Sequence, residues 1–242
     1  LQPAHTLLIS GPNAGGKTVL LKTVGLFALM LRAGIPICVD SDSSMDMFEN
    51  VLSDIGDDQS IELALSTFSA HMKNIAGVLD DATLGSIVLL DELCAGTDPV
   101  EGTALAAAIM DKLNQRNATT VATTHFDTLK SYAQDNTSCT NGAMGFDATT
   151  SRPTYRIHSG VPGSSSALKV AAQYGIPPAV IADAKERIPE GMRRLSMAVE
   201  ALEKAQEDAQ SERRALISDR NSAQKAQRKF EDELARLKSS EE

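Results

Sequence analysis

The stretch from Leu7 to Thr18 reads Leu-Leu-Ile-Ser-Gly-Pro-Asn-Ala-Gly-Gly-Lys-Thr. Its first part is a short apolar run that predicts a buried strand, and its second part is a Gly-x-x-x-x-Gly-Lys-Thr loop. Glycines in such a loop let the backbone wrap around phosphate, so that N–H groups and the start of the next helix point at the anion. A helical segment from Thr18 to Arg32 follows and ends at Gly34. This order predicts a phosphate-binding P-loop.

Two side chains at the end of this loop have defined tasks in a nucleotide site. Lys17 is expected to reach the β- and γ-phosphates of ATP, and the Thr18 hydroxyl is expected to be a ligand of Mg²⁺. The residues that we expect to contact the nucleotide are Gly11, Pro12, Asn13, Ala14, Gly15, Gly16, Lys17, Thr18 and Val19.

A second apolar run, from Ser86 to Leu90, is closed by the acids Asp91 and Glu92. In a parallel sheet the carboxyl end of such a strand brings carboxylates to the phosphate loop. We expect Asp91 to hold Mg²⁺ and Glu92 to orient or deprotonate the attacking water. The alternative is a strand that simply ends in solvated acids. The P-loop earlier in the chain favours the catalytic interpretation.

Length and composition predict one substantial core. The chain has 242 residues, of which 42% are hydrophobic. No apolar stretch is long enough to cross a membrane, and no secretory signal precedes the first strand. The three cysteines, Cys38, Cys94 and Cys139, lack metal-ligand spacing and are expected to be reduced thiols in or near the core. We therefore expect a cytoplasmic protein with no membrane partner.

The net charge of −9 is unevenly distributed along the chain. Before Glu190 there are 20 acidic and 12 basic residues, whereas the segment from Glu190 onward is nearly balanced. An acidic surface disfavours broad electrostatic binding of nucleic acid. Any nucleic acid is therefore expected to bind through other parts of a longer protein.

Apolar and polar patterning predicts an α/β architecture, with a mainly parallel sheet and helices on both faces. The predicted strands are Thr6–Ser10, Ile35–Val39, Asn50–Ile55, Ile87–Asp91, Thr119–Thr123, Asn141–Phe146 and Pro153–His158. The predicted helices are Thr18–Arg32, Thr67–Asp80, Val100–Gln115, Ser164–Tyr174 and Pro177–Arg187. We predict an ATPase core over 1–160, a helix-turn-helix-like segment over 161–189 and a long helix over 190–242. The second helix of that middle segment is mostly apolar, which favours packing or dimerisation over reading DNA.

The segment from Arg193 onward contains no Gly or Pro and predicts one long helix. Apolar residues recur every seven positions in one seam, whereas the alternate seam is largely polar. A coiled coil and a solvated connecting helix held by charge pairs both fit this pattern. The apolar seam consists of Leu195, Leu202, Ala209, Leu216, Ala223, Phe230 and Leu237.

Further motifs give the chain a family resemblance over residues 5 to 188. Asp54-Ile-Gly-Asp-Asp-Gln-Ser60 and Leu65-Ser-Thr-Phe-Ser69 lie between the P-loop and the acidic strand, and Gly96-Thr-Asp-Pro99 and Ala122-Thr-Thr-His125 follow that strand. This ordered set of motifs resembles the ATPase domain of the MutS family, which has an ABC-like P-loop fold. The residues within the motifs resemble those of the second bacterial subfamily, MutS-two. The resemblance implies clamp and lever domains upstream and an Smr nuclease domain downstream, so we expect a piece of a longer protein.

The resemblance also implies roles for residues outside the P-loop. Ser66 and Thr67 would approach the ATP of a partner subunit, so that a homodimer has composite sites. Thr97-Asp98-Pro99 would form the D-loop at the dimer interface, and His125 would sense the γ-phosphate. The alternative for His125 is a buried structural residue, which is the ordinary interpretation of an isolated histidine after a strand. His71, on the helix after the signature-like segment, is interpreted as structural. The chain departs from the subfamily at Cys94, where Gly is usual.

The function expected from the resemblance is an ATP-driven dimeric switch that acts on branched or recombining DNA and suppresses homologous recombination. The alternative within the family is an ATPase that acts on stalled ribosomes through rRNA, and domains outside this chain would make either contact. A transporter or SMC-type ATPase is disfavoured because it needs a Leu-Ser-Gly-Gly-type signature, which is missing between Thr18 and Asp91. A small-molecule kinase is disfavoured because residues 40–60 contain no Arg for a lid.

Overall fold

The computed structural model describes residues 4–12, 15–56, 64–147, 152–163 and 167–240. Its contacts divide the chain into two units, Leu1–Val199 and Glu200–Glu242. The first unit contains the whole sheet, and the second lies within one long helix. All of the predicted nucleotide-site residues therefore belong to the first unit.

A six-stranded sheet forms the centre of the first unit. Its strands are β1 Thr6–Ser10, β2 Asn50–Asp54, β3 Ser86–Leu90, β4 Thr119–Thr123, β5 Cys139–Asp147 and β6 Arg152–Ser159. They lie in the order β2-β3-β4-β1-β5-β6, with parallel pairing throughout except for the antiparallel pair β5 and β6. Ile9 pairs with Thr123, and Leu90 pairs with Ala122. The carboxyl ends of β1, β3 and β4 therefore meet at one edge of the sheet.

Helices cover both faces of this sheet. The helices are α1 Lys17–Arg32, α2 Ala64–Asp81, α3 Pro99–Gln115, α4 Asp127–Asp135, α5 Ala167–Gln173, α6 Pro178–Arg187 and α7 Glu190–Ser240. One buried cluster joins the sheet to α2, α3 and α4, and a second joins the opposite face to α1. A Cβ on Gly25 of α1 would lie 2.7 Å from Leu89 Cδ1, so α1 can approach β3 closely only because a glycine stands there. The predicted mainly parallel α/β fold is confirmed.

The predicted strand Ile35–Val39 is wrong, because residues 35–40 lie in neither a helix nor a strand. Pro36 has no N–H to donate to a strand ladder. The edge next to β3 is already occupied by β2, and the Ile35 N–H instead donates to the Met30 carbonyl at the end of α1. The missing N–H of Pro36 and the bond from the Ile35 N–H to the end of α1 thus disfavour a strand here, although β2 has an open edge.

Two helices differ from the sequence-based expectation. The nine-residue helix α4 was not predicted, although Leu129 and Ala133 bury one of its faces. Helix α2 is described from Ala64, three residues before the predicted start at Thr67, so Ser66 and Thr67 lie in its first described turn. Most other boundaries agree to within two residues, and those of β1 and β4 agree at both ends.

The last helices continue from the sheet through residues 160–163. Helices α5 and α6 correspond to the predicted pair, although the predicted start of the first at Ser164 lies outside the described residues, and no residue of α6 is buried. Helix α7 is a single helix of 51 residues, in which Leu202 and Leu216 of the predicted apolar seam are exposed. Among the described residues, no helix combines the length and the apolar composition needed to cross a bilayer.

Candidate nucleotide site

The P-loop connects the buried strand β1 to the start of α1. Gly11 and Gly16 have φ values of 138° and 87°, a region that residues with a Cβ rarely adopt. The Gly15 N–H donates to the Pro12 carbonyl over 2.8 Å and closes a turn within the loop. The predicted contacts Asn13 and Ala14 lie outside the described residues. The glycine positions therefore serve backbone conformations that a phosphate-binding loop requires.

Lys17 lies at the first position of α1 with only 3% of its surface exposed. Its Nζ donates to the carbonyl oxygens of Gly11 and Pro12 over 3.0 and 3.1 Å. Burial lowers the pKa of this ammonium group, and the carboxylates of Glu92 and Asp91 partly oppose that effect. A buried cation that is held by the carbonyls of the loop is suited to bind an incoming anion. Thr18 follows it on the same helix and is partly exposed.

The acidic pair lies directly after β3, beside the end of β4. Thr123 Oγ1 donates to Asp91 Oδ1 over 2.6 Å and accepts from the Glu92 N–H over 2.7 Å. The Leu93 N–H donates to the Thr123 carbonyl over 3.0 Å. Both acidic side chains are partly exposed at the carboxyl edge of the sheet. The residues predicted to bind Mg²⁺ and water are thus held by Thr123, which the sequence alone did not identify.

The turn after Glu92 contains two side-chain-bearing residues with left-handed backbone. Glu92 has φ 46° and Cys94 has φ 58°. The Ala95 N–H donates to the Glu92 carbonyl over 2.8 Å, which closes the turn. A glycine at position 94, which the family resemblance leads us to expect, would adopt this conformation without a Cβ clash. Burial, followed by the charge of Asp54, raises the pKa of the Cys94 thiol to about 11.

His125 lies two residues beyond β4 and is exposed, so the alternative of a buried structural histidine is wrong. Thr124 Oγ1 accepts from the Phe126 N–H over 3.0 Å and closes a short turn around His125. The ring of His125 lies 4.7 Å from that of Phe126, centroid to centroid. The turn thus places an exposed imidazole at the sheet edge that carries Asp91 and the P-loop.

The D-loop and the signature-like segment lie at the starts of two helices. Asp98 is the N-cap of α3, and its Oδ1 accepts from the N–H groups of Val100 and Glu101 over 2.9 and 3.1 Å. Ser66 and Thr67 lie in the first turn of α2. Their predicted contact with a partner's nucleotide remains a prediction.

Tyr155 of β6 was not identified from the sequence, although it lies against the P-loop. Its Cδ1 and Cε1 atoms would be 3.0 Å from a Cβ on Gly16, and 65% of the residue is exposed. Its φ of 54° is strained for an aromatic residue. An exposed aromatic ring beside a P-loop offers a flat surface on which a nucleobase can stack.

The histidine interpreted as structural, His71, is partly exposed and belongs to a polar cluster around the buried Asp54. Its Nδ1 lies 2.7 Å from Asp54 Oδ2. Asn74 Nδ2 donates to the other carboxylate oxygen, Asp54 Oδ1, over 2.8 Å. The cluster joins α2 to the end of β2, one strand away from Asp91.

These residues fit ATP and Mg²⁺ chemically. The left-handed glycines leave room for backbone N–H groups to turn towards phosphate, and Lys17 supplies a buried positive charge. Mg²⁺ prefers oxygen ligands and is commonly held by one or two carboxylates together with phosphates. Thr18 and Asp91 supply oxygens of this kind.

Comparison with known proteins gives one family. The family model described as MutS domain V matches residues 7–191. The endonuclease MutS2 of Clostridioides difficile (strain 630) is 46% identical over 228 residues, which are 94% of this chain and 28% of that relative. The endonuclease MutS2 of Pelotomaculum thermopropionicum is 46% identical over 95% of this chain and 30% of its own length. That of Alkaliphilus metalliredigens is 42% identical over 96% and 30%. The chain thus spans less than a third of the curated relatives that it matches.

Proposed function

The chain belongs to the MutS family as an ATPase domain of the MutS2 type, and from this premise we propose that ATP closes two copies of it into a homodimer and that hydrolysis reopens them. The observation that carries the proposal is the meeting of the P-loop, Asp91 and Glu92 at one sheet edge. Closure and reopening of this kind transmit a nucleotide state to other domains.

Each described residue of the site has a task in this cycle. When ATP binds, the ammonium group of Lys17 leaves the carbonyl oxygens of Gly11 and Pro12 and donates hydrogen bonds to phosphate oxygens. Glu92 accepts a proton from the attacking water. The imidazole of His125 donates a hydrogen bond to the γ-phosphate. Tyr155 stacks on the adenine ring. Thr18 and Asp91 would hold Mg²⁺, which would supply positive charge opposite the phosphates.

The dimer is proposed to complete each site with the start of α2 from the partner. The N-terminus of a helix attracts anions because its first N–H groups lack partners within the helix. Each chain already has Lys17, Thr18 and Asp91 at its own phosphate site. A second anion-seeking helix start, at Ser66 and Thr67, is therefore best used on the nucleotide of the other subunit.

We further propose that the whole protein acts on branched or recombining DNA. The relatives carry the name endonuclease MutS2, and they are more than three times as long as this chain. The excess of acidic residues before Glu190 supports DNA contacts outside the ATPase domain. This domain would supply the ATP-dependent motion, and other domains would supply the grip on DNA.

The catalytic assignment is tested by two substitutions with opposite effects on binding. Lys17→Ala should abolish tight ATP binding because it removes the charge that faces the phosphates. Glu92→Gln should bind ATP, stop turnover and accumulate as an ATP-bound dimer, because the shape of the site is retained without the base. Glu186→Gln, at an exposed position of α6, is the control. Equal steady-state ATPase rates for Glu92→Gln and the unmodified chain would contradict the assignment of the base.

The composite site is tested by mixing two inactive chains. One carries Lys17→Ala, and the other carries Ser66→Ala with Thr67→Ala. Their heterodimer has one fully defective site and one intact site, so the mixture should recover ATPase activity that neither chain shows alone. If the mixture stays inactive and the specific activity of the unmodified chain is constant on dilution, the composite site is wrong.

A further inference from the structure

Asp54, at the end of β2, is held by two side chains from α2. The residue is only 6% exposed, yet each carboxylate oxygen has a donor on the helix, from His71 at 2.7 Å and from Asn74 at 2.8 Å. Because His71 and Asn74 are three residues apart, they project from one face of the helix. Asn74 also lies 3.3 Å from the Ser53 carbonyl. The carboxylate of Asp54 therefore fixes one helical face against the end of one strand.

The same residue is bonded to the strand that carries the predicted magnesium ligand. The Asp91 N–H donates to the Asp54 carbonyl oxygen over 2.8 Å. Asp91 in turn accepts from Thr123 through its side chain. A continuous set of hydrogen bonds thus runs from α2 through Asp54 and Asp91 to β4.

On its core side, α2 is held to the sheet by Ile75 and Val78, which lie in the buried cluster against which Leu52 of β2 also packs. An open cleft of about 460 Å³ lies between the end of β2 and the helix, and the small residues Ala70 and Gly77 line its helix side. A Cβ added to Gly77 would have no neighbour within 4 Å. At the cleft itself, the contacts of Asp54 with His71 and Asn74 join the end of the strand to the N-terminal half of the helix.

His71 follows Thr67 by four residues, about one helical turn. Any shift of His71 relative to Asp54 therefore moves the start of α2 with it, since one turn of helix is rigid on this scale. The start of α2 carries Ser66 and Thr67, the residues proposed to reach the partner's nucleotide.

We propose that Asp54 is a positioning residue which, through His71 and Asn74, fixes the start of α2 and thereby places Ser66 and Thr67 for the ATP held by the partner subunit. This inference rests on the composite site of the proposed function. In this arrangement His71 acts on the nucleotide of the other subunit and not on the nucleotide of its own P-loop.

The test places one substitution in either chain of the complementing mixture. The only active site of that mixture uses α2 from the Lys17→Ala chain and the P-loop from the Ser66→Ala, Thr67→Ala chain. His71→Ala in the Lys17→Ala chain should lower the activity about fivefold or more, the size of a typical coupling between sites. The same His71→Ala in the other chain should leave the activity within about twofold, since the α2 of that chain faces a dead site.

Three controls separate positioning from a general loss of structure. His71→Asn should restore most of the activity, because its amide nitrogen lies close to the place of Nδ1. Asn74→Ala, which leaves the contact with His71 intact, should give a smaller loss with the same dependence on placement. The affinity of the single His71→Ala chain for a fluorescent ATP analogue should equal that of the unmodified chain.

The outcomes distinguish the inference from the function on which it rests. An inactive parent mixture overturns the composite site and the inference together. An active parent mixture in which His71→Ala gives equal losses in both placements, or no loss in either, overturns the inference alone.

Discussion

Two neighbouring strands of the sheet place an aspartate at the same edge, and the two aspartates have different environments. Asp54 ends β2, is buried, and receives donors from His71 and Asn74 on its two carboxylate oxygens. Asp91 follows β3, is partly exposed, and among the described side chains receives a donor from Thr123. The strands are parallel and paired in register. The two aspartates thus share residue type and sheet edge but differ in the donors around their carboxylates, which distinguishes the structural role of Asp54 from the proposed magnesium-binding role of Asp91.

The difference has a simple physical origin. A buried carboxylate must be satisfied by protein donors because it has lost its water, and the oxygens of Asp54 are then occupied. A partly exposed carboxylate keeps water on its remaining lone pairs and can exchange that water for a metal ion. The comparison therefore predicts that the same substitution at the two positions has opposite consequences for stability and activity.

The largest effect is expected from the matched pair Asp91→Asn and Asp54→Asn. Asp91→Asn should lower kcat for Mg²⁺-dependent ATP hydrolysis by roughly 100-fold or more, because a neutral amide is a poor magnesium ligand. Its urea midpoint should change little. Asp54→Asn should lower the free energy of unfolding by about 1–3 kcal/mol, because one of the two buried acceptor oxygens becomes an NH2 donor that faces another donor. Steady-state kinetics and urea denaturation of both variants measure the two quantities.

Dependence on magnesium is the control for this pair. Asp54→Asn, measured below its unfolding transition, should need the same magnesium concentration for half-maximal activity as the unmodified chain, whereas Asp91→Asn should need more. A raised requirement in Asp54→Asn would mean that the two aspartates share the ion and that the contrast between them is wrong.

A smaller loss is expected at Thr123, which joins Asp91 to Glu92. Thr123→Val keeps the shape of the side chain but removes the hydroxyl, so Asp91 loses a donor and the Glu92 N–H loses an acceptor. Outer-shell changes of this kind cost roughly 10-fold in activity. Thr123→Ser keeps the hydroxyl and should retain most of the kcat. If Val and Ser give the same rate, the hydroxyl does not orient the acidic pair.

The sequence predicts the parts of this edge that follow from local pattern. The P-loop, the buried strand before Asp91 and the bounds of β1 and β4 depend on apolar runs and turn residues within about a dozen positions. The segment Ile35–Val39 is apolar as well, but Pro36 lacks an N–H for a strand ladder and the Ile35 N–H bonds to the Met30 carbonyl at the end of α1. The short helix α4 has too few residues for its period to stand out.

Contacts between distant residues could not be predicted in this way. His71 and Asp54 are 17 residues apart in the chain, and their contact exists only because α2 lies against the end of β2. Thr123 and Asp91 are 32 residues apart and meet because β3 and β4 pair in register. Tyr155 lies against the P-loop from the antiparallel strand β6. No sequence motif around Tyr155 indicates that an exposed aromatic residue of this strand will contact the P-loop. The contacts of His71 are compatible with a structural role, but the sequence did not identify Asp54 as its partner.

The smallest effect concerns the thiol of Cys94, whose pKa is raised to about 11 by burial and then by the charge of Asp54. An unfolded thiol has a pKa of about 8.5, so between these values the unfolded chain releases a proton that the folded chain retains. The free energy of unfolding should therefore fall as pH rises from 8 to 10, and Cys94→Ala should reduce that fall. The range stops at pH 10 because Tyr132, with a pKa raised to about 12, begins to contribute above it. The slopes are compared by urea denaturation at three pH values, in the presence and absence of each asparagine substitution.

Because the negative charge of Asp54 helps to raise the pKa of Cys94, Asp54→Asn should flatten the part of the slope that depends on Cys94. Asp91→Asn should leave that part unchanged. Equal flattening by both substitutions would show that the electrostatic influence of the two aspartates is the same, and the contrast would then be confined to their hydrogen bonds.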